Sequence, residues 1–410
     1  MRVAALTRPR GRAQPAMLGS VRTMLDEIRA EGWDALVRFA LEIDGVAPKQ
    51  VRVAPFASIA RQEFSIEAQA AMRLAAEQIR TFQEQTMPKT ITVEGRPGLS
   101  VSKLWRPLDR AGLYVPGGRA PLFSTLMMLA IPAQVAGVRE VVVLTPPRRN
   151  GGLDPAIALA AELCGIEAIW TAGGAQGIAA LAYGAGDIPA VDRICGPGNA
   201  WVSAAKAMVS SETGGPGIDL PAGPSELMVL SGPGGDPLTI AADLLSQAEH
   251  DPNAQVIVVS PDSALLDAIG AEVERQLAAL TGDFATVRAI SCTDLDEALA
   301  IANSYAPEHL SLACDEAAAR IDDVRNAGAV FVGSASAESF GDYLAGSSHV
   351  LPTDGAARFT GGVSTLTFMK AMTVQSISPA TAASLAAPAA ALARLEGLEA
   401  HARAAEARAA

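Results

Sequence analysis

The 410-residue chain holds only four histidines, His250, His309, His349 and His401, and three of them have acidic or amide companions close by in sequence. Gln247 and His250 stand three residues apart at the end of a predicted helix, so they share one face. An amide oxygen and an imidazole nitrogen there could both reach one cation, or simply form a polar helix terminus. Glu308 and His309 are adjacent just before a predicted strand, on a loop stiffened by Pro307. They supply two proton acceptors of different strength, because a free imidazole titrates near neutrality and a carboxyl well below it. A solvated polar turn would read the same way. Asp342 lies in a turn bounded by Gly341 and Gly346, as a loop oxygen ligand or an Asx-turn, and His349 follows seven residues later. Glu396 and His401 converge near the chain end if Gly397 bends its helix, and otherwise lie on an exposed polar face. Together Gln247, His250, Asp342 and His401 make two nitrogen and two oxygen donors, a set that suits a borderline divalent metal such as zinc.

The elements that must position these residues alternate. From residue 140 the pattern predicts strands at 141–145, 167–171 and 192–195, separated by helices. A second round predicts strands at 226–230, 255–260, 287–291, 310–314 and 329–333, with helices at 238–249, 263–280, 294–302 and 316–327 between them. Such alternation implies parallel sheets covered by helices, and two consecutive runs imply two Rossmann-like, doubly wound α/β domains. Residues 1–20 read as an arm and 21–90 as helical, with apolar faces at Val21, Met24, Leu25 and Ile28 and again over 69–82. The expected division joins 21–113 to 226–363 as one domain and takes 114–225 as the other. It leaves 364–410 as a C-terminal tail, of which 383–410 is alanine-rich, helical by propensity and expected to dock on another surface. No GxGxxG follows a strand and opens a helix. The glycine pairs at 173–176 and 196–199 would hold a nucleotide in a variant manner, or are tight strand–helix connections.

Composition removes several classes. Hydrophobic residues make up 50% and charged residues 19%, which suits a large core and opposes disorder. A net charge of −12 without a Lys/Arg block repels phosphate backbones, so no nucleic-acid partner is expected. The longest apolar stretch, 126–138, is broken by Pro132 and Gln134 and is too short to cross a bilayer, so no membrane partner is expected. The N-terminus lacks the apolar run of a secretory signal. Cys164, Cys195, Cys292 and Cys314 are scattered with no CxxC, which argues against disulfides and fits a reducing cytoplasm.

The motifs combine. GLYVPGG at 112–118, GGAQ at 173–176, GPGNAW at 196–201, DLPAGPSE at 219–226, LLSQAEH at 244–250, YAPEHL at 305–310, GDYLAG at 341–346, SHVLPT at 348–353 and EGLEAH at 396–401 follow one another in order. Through them the chain resembles the histidinol dehydrogenase family from about residue 21 to the tail. The resemblance implies oxidation of L-histidinol to L-histidine with reduction of two NAD, at the end of histidine biosynthesis. It implies a zinc-dependent homodimer whose C-terminal tail crosses to the partner subunit. By the same resemblance Gln247, His250, Asp342 and His401 are the zinc ligands, and Glu308 and His309 the acid/base pair. Ser225, His349 and Glu396, together with His309 and the four ligands, are substrate contacts, and Tyr114, Gln176 and Asn199 are NAD contacts. Residues 360–370 depart from the usual family pattern. A related zinc- and NAD-dependent dehydrogenase of another amino alcohol or diol is the alternative.

Overall fold

The computed structural model describes Leu6, Arg8 and residues 15–117, 121–220 and 223–409. Gly118 of the GLYVPGG motif, Pro221 and Ala222 of DLPAGPSE, and most of the arm expected at 1–20 lie outside the described residues. The helical part starts earlier than expected, at Pro15, whose fixed φ suits a first helical turn. The chain divides into two compact units, Met1–Thr86 with Leu108–Phe368, and Met87–Pro107 with Met369–Ala410.

The first unit opens with α1 (Pro15–Glu31), α2 (Trp33–Ile43), β1 (Gln50–Arg52), α3 (Ala54–Glu63) and α4 (Ile66–Gln85). The expected face of α1 is buried at Val21, Met24, Leu25 and Ile28. That of α4 is buried at Met72, Ala75, Ile79 and Gln83, one turn apart each time. Strands β2 (Ile91–Arg96) and β3 (Leu99–Pro107) then belong to the second unit.

The first parallel run is β4 (Arg110–Tyr114), α5 (Phe123–Ala136), β5 (Glu140–Thr145), α6 (Pro155–Leu163), β6 (Ala168–Thr171), α7 (Gly174–Tyr183), β7 (Arg193–Cys195), α8 (Ala200–Ser210) and β8 (Gly217–Ile218). Its sheet has the order β1-β6-β5-β4-β7-β8, with only β1 antiparallel. Helix α5, apolar on every side, is buried from Ser124 through Ala133, as a helix without a polar face must be.

The second run is β9 (Glu226–Leu230), α9 (Pro237–Ala248), β10 (Gln255–Ser260), α10 (Ser263–Leu277), β11 (Val287–Ser291), α11 (Leu295–Tyr305), β12 (His309–Leu312), α12 (Asp315–Ala318), β13 (Ala329–Val332) and α13 (Glu338–Tyr343). Its sheet, β11-β10-β9-β12-β13, is wholly parallel. Successive residues of β9 and β10 enter opposite cores. Met228, Leu230, Ile257 and Val259 face one way, and Leu227, Val229, Val256 and Val258 the other.

Two expectations change. Helices α1 and α2 pack on the first sheet, where Val21, Leu25, Ile28 and Leu36 share a core with Leu144, Ile178 and Ile194. The helical segment therefore goes with 114–225 rather than with 226–363, because its apolar stripe fits against α7 and α8. The tail expected at 364–410 is helical from Pro379 but also carries a strand. It contains β14 (Met369–Ile377), which pairs antiparallel with β3 from Met369↔Pro107 to Ile377↔Leu99. Strands β14, β3 and β2 form the sheet of the second unit, completed by α14 (Pro379–Leu395) and α15 (Glu399–Glu406). Among the described residues no helix is long and apolar enough to cross a membrane.

Candidate active site

The expected acid/base pair sits where β12 begins, at the amino-terminal edge of the second sheet. Glu308 and His309 are each 5% exposed. Neighbouring β9 opens with Glu226, and the two strands are laced together there. The Glu308 Oε2 accepts the Glu226 N–H at 2.9 Å, and the Glu226 Oε2 accepts the Glu308 N–H at 3.3 Å. Nδ1 of His309 is 3.1 Å from the Glu226 carbonyl oxygen. A carbonyl only accepts, so Nδ1 carries the hydrogen and Nε2 keeps its lone pair. That Nε2 is 4.0 Å from Oδ1 of Asp342, and Glu338 Oε1 is 3.3 Å from Nδ1.

Helices α9 and α13 bring the remaining groups. Glu338 and Asp342 are four residues apart on α13, hence on one face, and α13 packs against α9. Gln247 is in the last turn of α9 and His250 lies just beyond it. The His250 Nδ1–H donates to the Ser246 carbonyl at 2.8 Å, which frees Nε2 in the manner of metal-binding imidazoles. Gln247 is 1% exposed, yet neither polar atom of its amide has a hydrogen-bond partner. An unpartnered buried amide costs about 1–3 kcal/mol, and a bound cation would relieve its oxygen. Amide, imidazole and carboxylate together fit zinc. Among the described residues no three His, Cys, Asp or Glu side chains group as a metal site. The local set is one imidazole and one carboxylate plus the amide. His401, the fourth expected donor, is exposed on α15 in the second unit, and Glu396 is exposed ahead of it.

Burial changes the proton affinities. Desolvation pulls His309 down to about 3 and His349 to about 4, because the charged imidazolium is the form that loses water. It pushes the Glu308 and Glu338 carboxyls well above the usual range and Asp342 to about 6, the last opposed by nearby His250. The order of strengths expected from free side chains is therefore reversed in the pair.

His349 is reached from the first sheet. Its Nε2 is 2.9 Å from the Thr125 hydroxyl on α5, and its N–H donates to the Met128 sulfur at 3.2 Å. Ser225 is half-buried just ahead of β9, its carbonyl accepting the Gln255 N–H at 2.9 Å. The expected NAD residues lie at the carboxyl-terminal edge of the first sheet. Tyr114 ends β4, is 4% exposed, and accepts the Gly174 N–H on its hydroxyl at 3.1 Å. Gln176 is buried and donates to Asp44 at 3.1 Å. Asn199 is exposed and caps α8, its Oδ1 accepting from Trp201 and Val202. The loop before it needs glycine at Gly196, where φ is +124° and a Cβ would stand 2.0 Å from the Tyr114 carbonyl. The buried Lys206 ammonium clamps this loop, donating to the Gly196 carbonyl at 2.8 Å and to Asp219 at 2.5 Å.

A family model described as histidinol dehydrogenase matches residues 7–409. The chain is 44% identical to the histidinol dehydrogenase of Xanthomonas euvesicatoria, over 98% of this chain and 95% of that one. It is 44% identical to that of Thermus thermophilus over 95% and 94%. The crystal structure of histidinol dehydrogenase from Elizabethkingia anophelis matches with a TM-score of 0.94 at 36% identity, covering 99% of this chain and 95% of that one. The chain belongs to the histidinol dehydrogenase family.

In this family member the structure gathers Gln247, His250, Glu308, His309, Asp342 and His349 within the first unit, and carries Glu396 and His401 in the second. Four further residues join the site that the sequence pattern did not mark. They are Thr125, Glu226, Glu338 and Arg8, whose guanidinium pairs with Glu226. Glu226 had a signal, as the last residue of DLPAGPSE at the head of a predicted strand. Glu338 had none, because a glutamate among serines and alanines reads as surface.

Proposed function

We propose that the chain oxidises L-histidinol to L-histidine through the aldehyde, with two hydride transfers to two NAD, at the end of histidine biosynthesis. One observation carries this reading. In a chain of this family, a buried His309 with a free Nε2 adjoins Glu308 and lies 4.0 Å from Asp342 of the expected donor set. Nε2 of His309 takes the alcohol proton in the first half-reaction. Glu308 then takes a proton from the water that adds to the aldehyde, and His309 serves again as the hydrate is oxidised. Ser225, His349 and Glu396 contact the substrate.

Gln247, His250, Asp342 and His401 would hold zinc, which when bound offers an anchor for the substrate's imidazole and amine and so fixes the reacting carbon. We assign His401 and Glu396 to a second copy of the chain. The second unit exposes Ile91, Val93, Met372, Val374, Leu392 and Leu395, and a tail-exchanged homodimer would cover such apolar surface.

Both sheets read as Rossmann-like, since each runs 3-2-1-4-5 in its parallel strands. NAD, the hydride acceptor, would lie at the switch point of the first sheet, between β4 and β7, beside Tyr114, Gln176 and Asn199. The cytoplasmic setting rests on four buried, scattered cysteines with no CxxC. The test is the amount of NADH formed per L-histidinol consumed, with and without chelator. Two, abolished by chelation, is expected. One points to another alcohol as substrate, and none overturns the reading.

A further inference from the structure

Arg8 is far from every motif, yet its guanidinium engages three neighbours of the acid/base pair. Its Nε is 2.5 Å from Oε1 of Glu226 and its Nη2 3.0 Å from Oε2, a two-pronged contact with a carboxylate that is itself buried. Nη2 also donates to the carbonyls of Tyr305 at 2.6 Å and Ala306 at 3.1 Å, the last residue of α11 and its C-cap. The guanidinium carbon lies 3.8 Å above the Tyr305 ring. Ala306 is held at φ +55°, a left-handed conformation uncommon for any residue but glycine. Two residues later comes Glu308.

Glu226 passes this restraint on. Its N–H binds the Glu308 carboxyl, its carbonyl fixes the His309 tautomer, and its carboxylate takes the Glu308 N–H. Arg8 thus holds both the turn that leads into the pair and the strand that flanks it. We propose that Arg8, acting through Glu226 and the Tyr305–Ala306 turn, is a positioning residue for Glu308 and His309. The inference rests on reading that pair as the acid/base groups of histidinol oxidation.

The experiment compares Arg8→Ala and Arg8→Lys with the unaltered full-length chain. It measures kcat, KM for L-histidinol, bound zinc, and the imidazole nitrogen resonances of protein labelled with ¹⁵N-histidine. With four histidines in the chain, His309 is assigned from a His309→Asn sample. Misplacing a reacting group by about 1 Å costs on the order of 100-fold in rate, so kcat should fall about 10- to 100-fold in Arg8→Ala. KM and zinc content should hold. The His309 resonances should move while those of His401 stay, and millimolar guanidinium should restore part of the rate to Arg8→Ala. Arg8→Lys keeps the charge but loses the fork, so it should show a smaller fall of the same kind should the alanine variant not fold. Unchanged kcat and unchanged His309 resonances overturn the proposal, as does a joint collapse of kcat, KM and zinc content in both variants. If the unaltered chain forms no NADH while the His309 resonances still move, the positioning stands and only the reading of the reaction falls.

Discussion

The Thr125 hydroxyl lies 2.9 Å from Nε2 of His349, joining the first turn of α5 on the first sheet to a loop beside the second. The Thr125 hydroxyl is buried, so it cannot replace the imidazole with solvent at no cost. Thr125→Val should leave the imidazole unheld, weakening its contact with substrate by about 1 kcal/mol, or about fivefold in KM. kcat should change less, and Thr125→Ser should restore the KM. Steady-state kinetics on the three proteins decides it.

Glu308→Gln keeps an oxygen to accept the Glu226 N–H but cannot take a proton from water. It should still form the first NADH and then release or retain aldehyde, with acid formation slowed about 100-fold or more. Product analysis by chromatography checks this. Acid formed at the normal rate would remove Glu308 from the hydration step.

Glu338 is 2% exposed and neither of its oxygens has a hydrogen-bond partner, although Oε1 is 3.3 Å from Nδ1 of His309. Burial holds its carboxyl protonated toward higher pH. Glutamine copies the protonated acid, so Glu338→Gln should leave the resting site unaltered and act only when His309 has gained its proton. The expected outcome is a roughly tenfold loss of kcat at constant KM, with unchanged zinc content. An equal loss at every step of substrate binding would speak for a packing role.

Chelation should abolish turnover while calorimetry still detects NAD binding, because the donor set and the expected NAD loops lie on opposite kinds of sheet edge. Loss of NAD binding with the metal would contradict that separation.

Truncation after Ala391 removes Glu396 and His401 while leaving β14 in place. Activity and bound zinc should be lost together, and a mixture with a chain mutated only at His309 should recover some of both. Full zinc occupancy in the truncated chain would return the fourth ligand to another residue.

The two parallel runs were legible because each strand is a short apolar stretch between turn residues and each helix has a face. Gln247, His250, Glu308, His309, Asp342 and His349 could be nominated from sequence because their motifs are long and lie where those elements end. The third strand of the second unit's sheet was not legible, although 91–106 reads as strand-like and holds β2 and β3. β14 is exposed at eight of its nine positions and pairs with a strand far away in sequence, so no local period announces it. Arg8 was hidden for a related reason. An arginine in a weakly patterned arm has the signature of solvent exposure, and only the packed structure shows the carboxylate and carbonyls that claim it. The reversal of proton affinities at Glu308 and His309 was equally invisible, since it follows from burial and not from residue type.

The direction of α9 has one more effect. Its carboxyl end points at His250, and the peptide dipoles of a helix leave about half a unit of negative charge there. Helices α7 and α8 present their amino ends beside Gln176 and Asn199, where the sign is opposite. Main-chain polarity alone thus favours positive charge at one rim and negative charge at the other, before any side chain has made a choice.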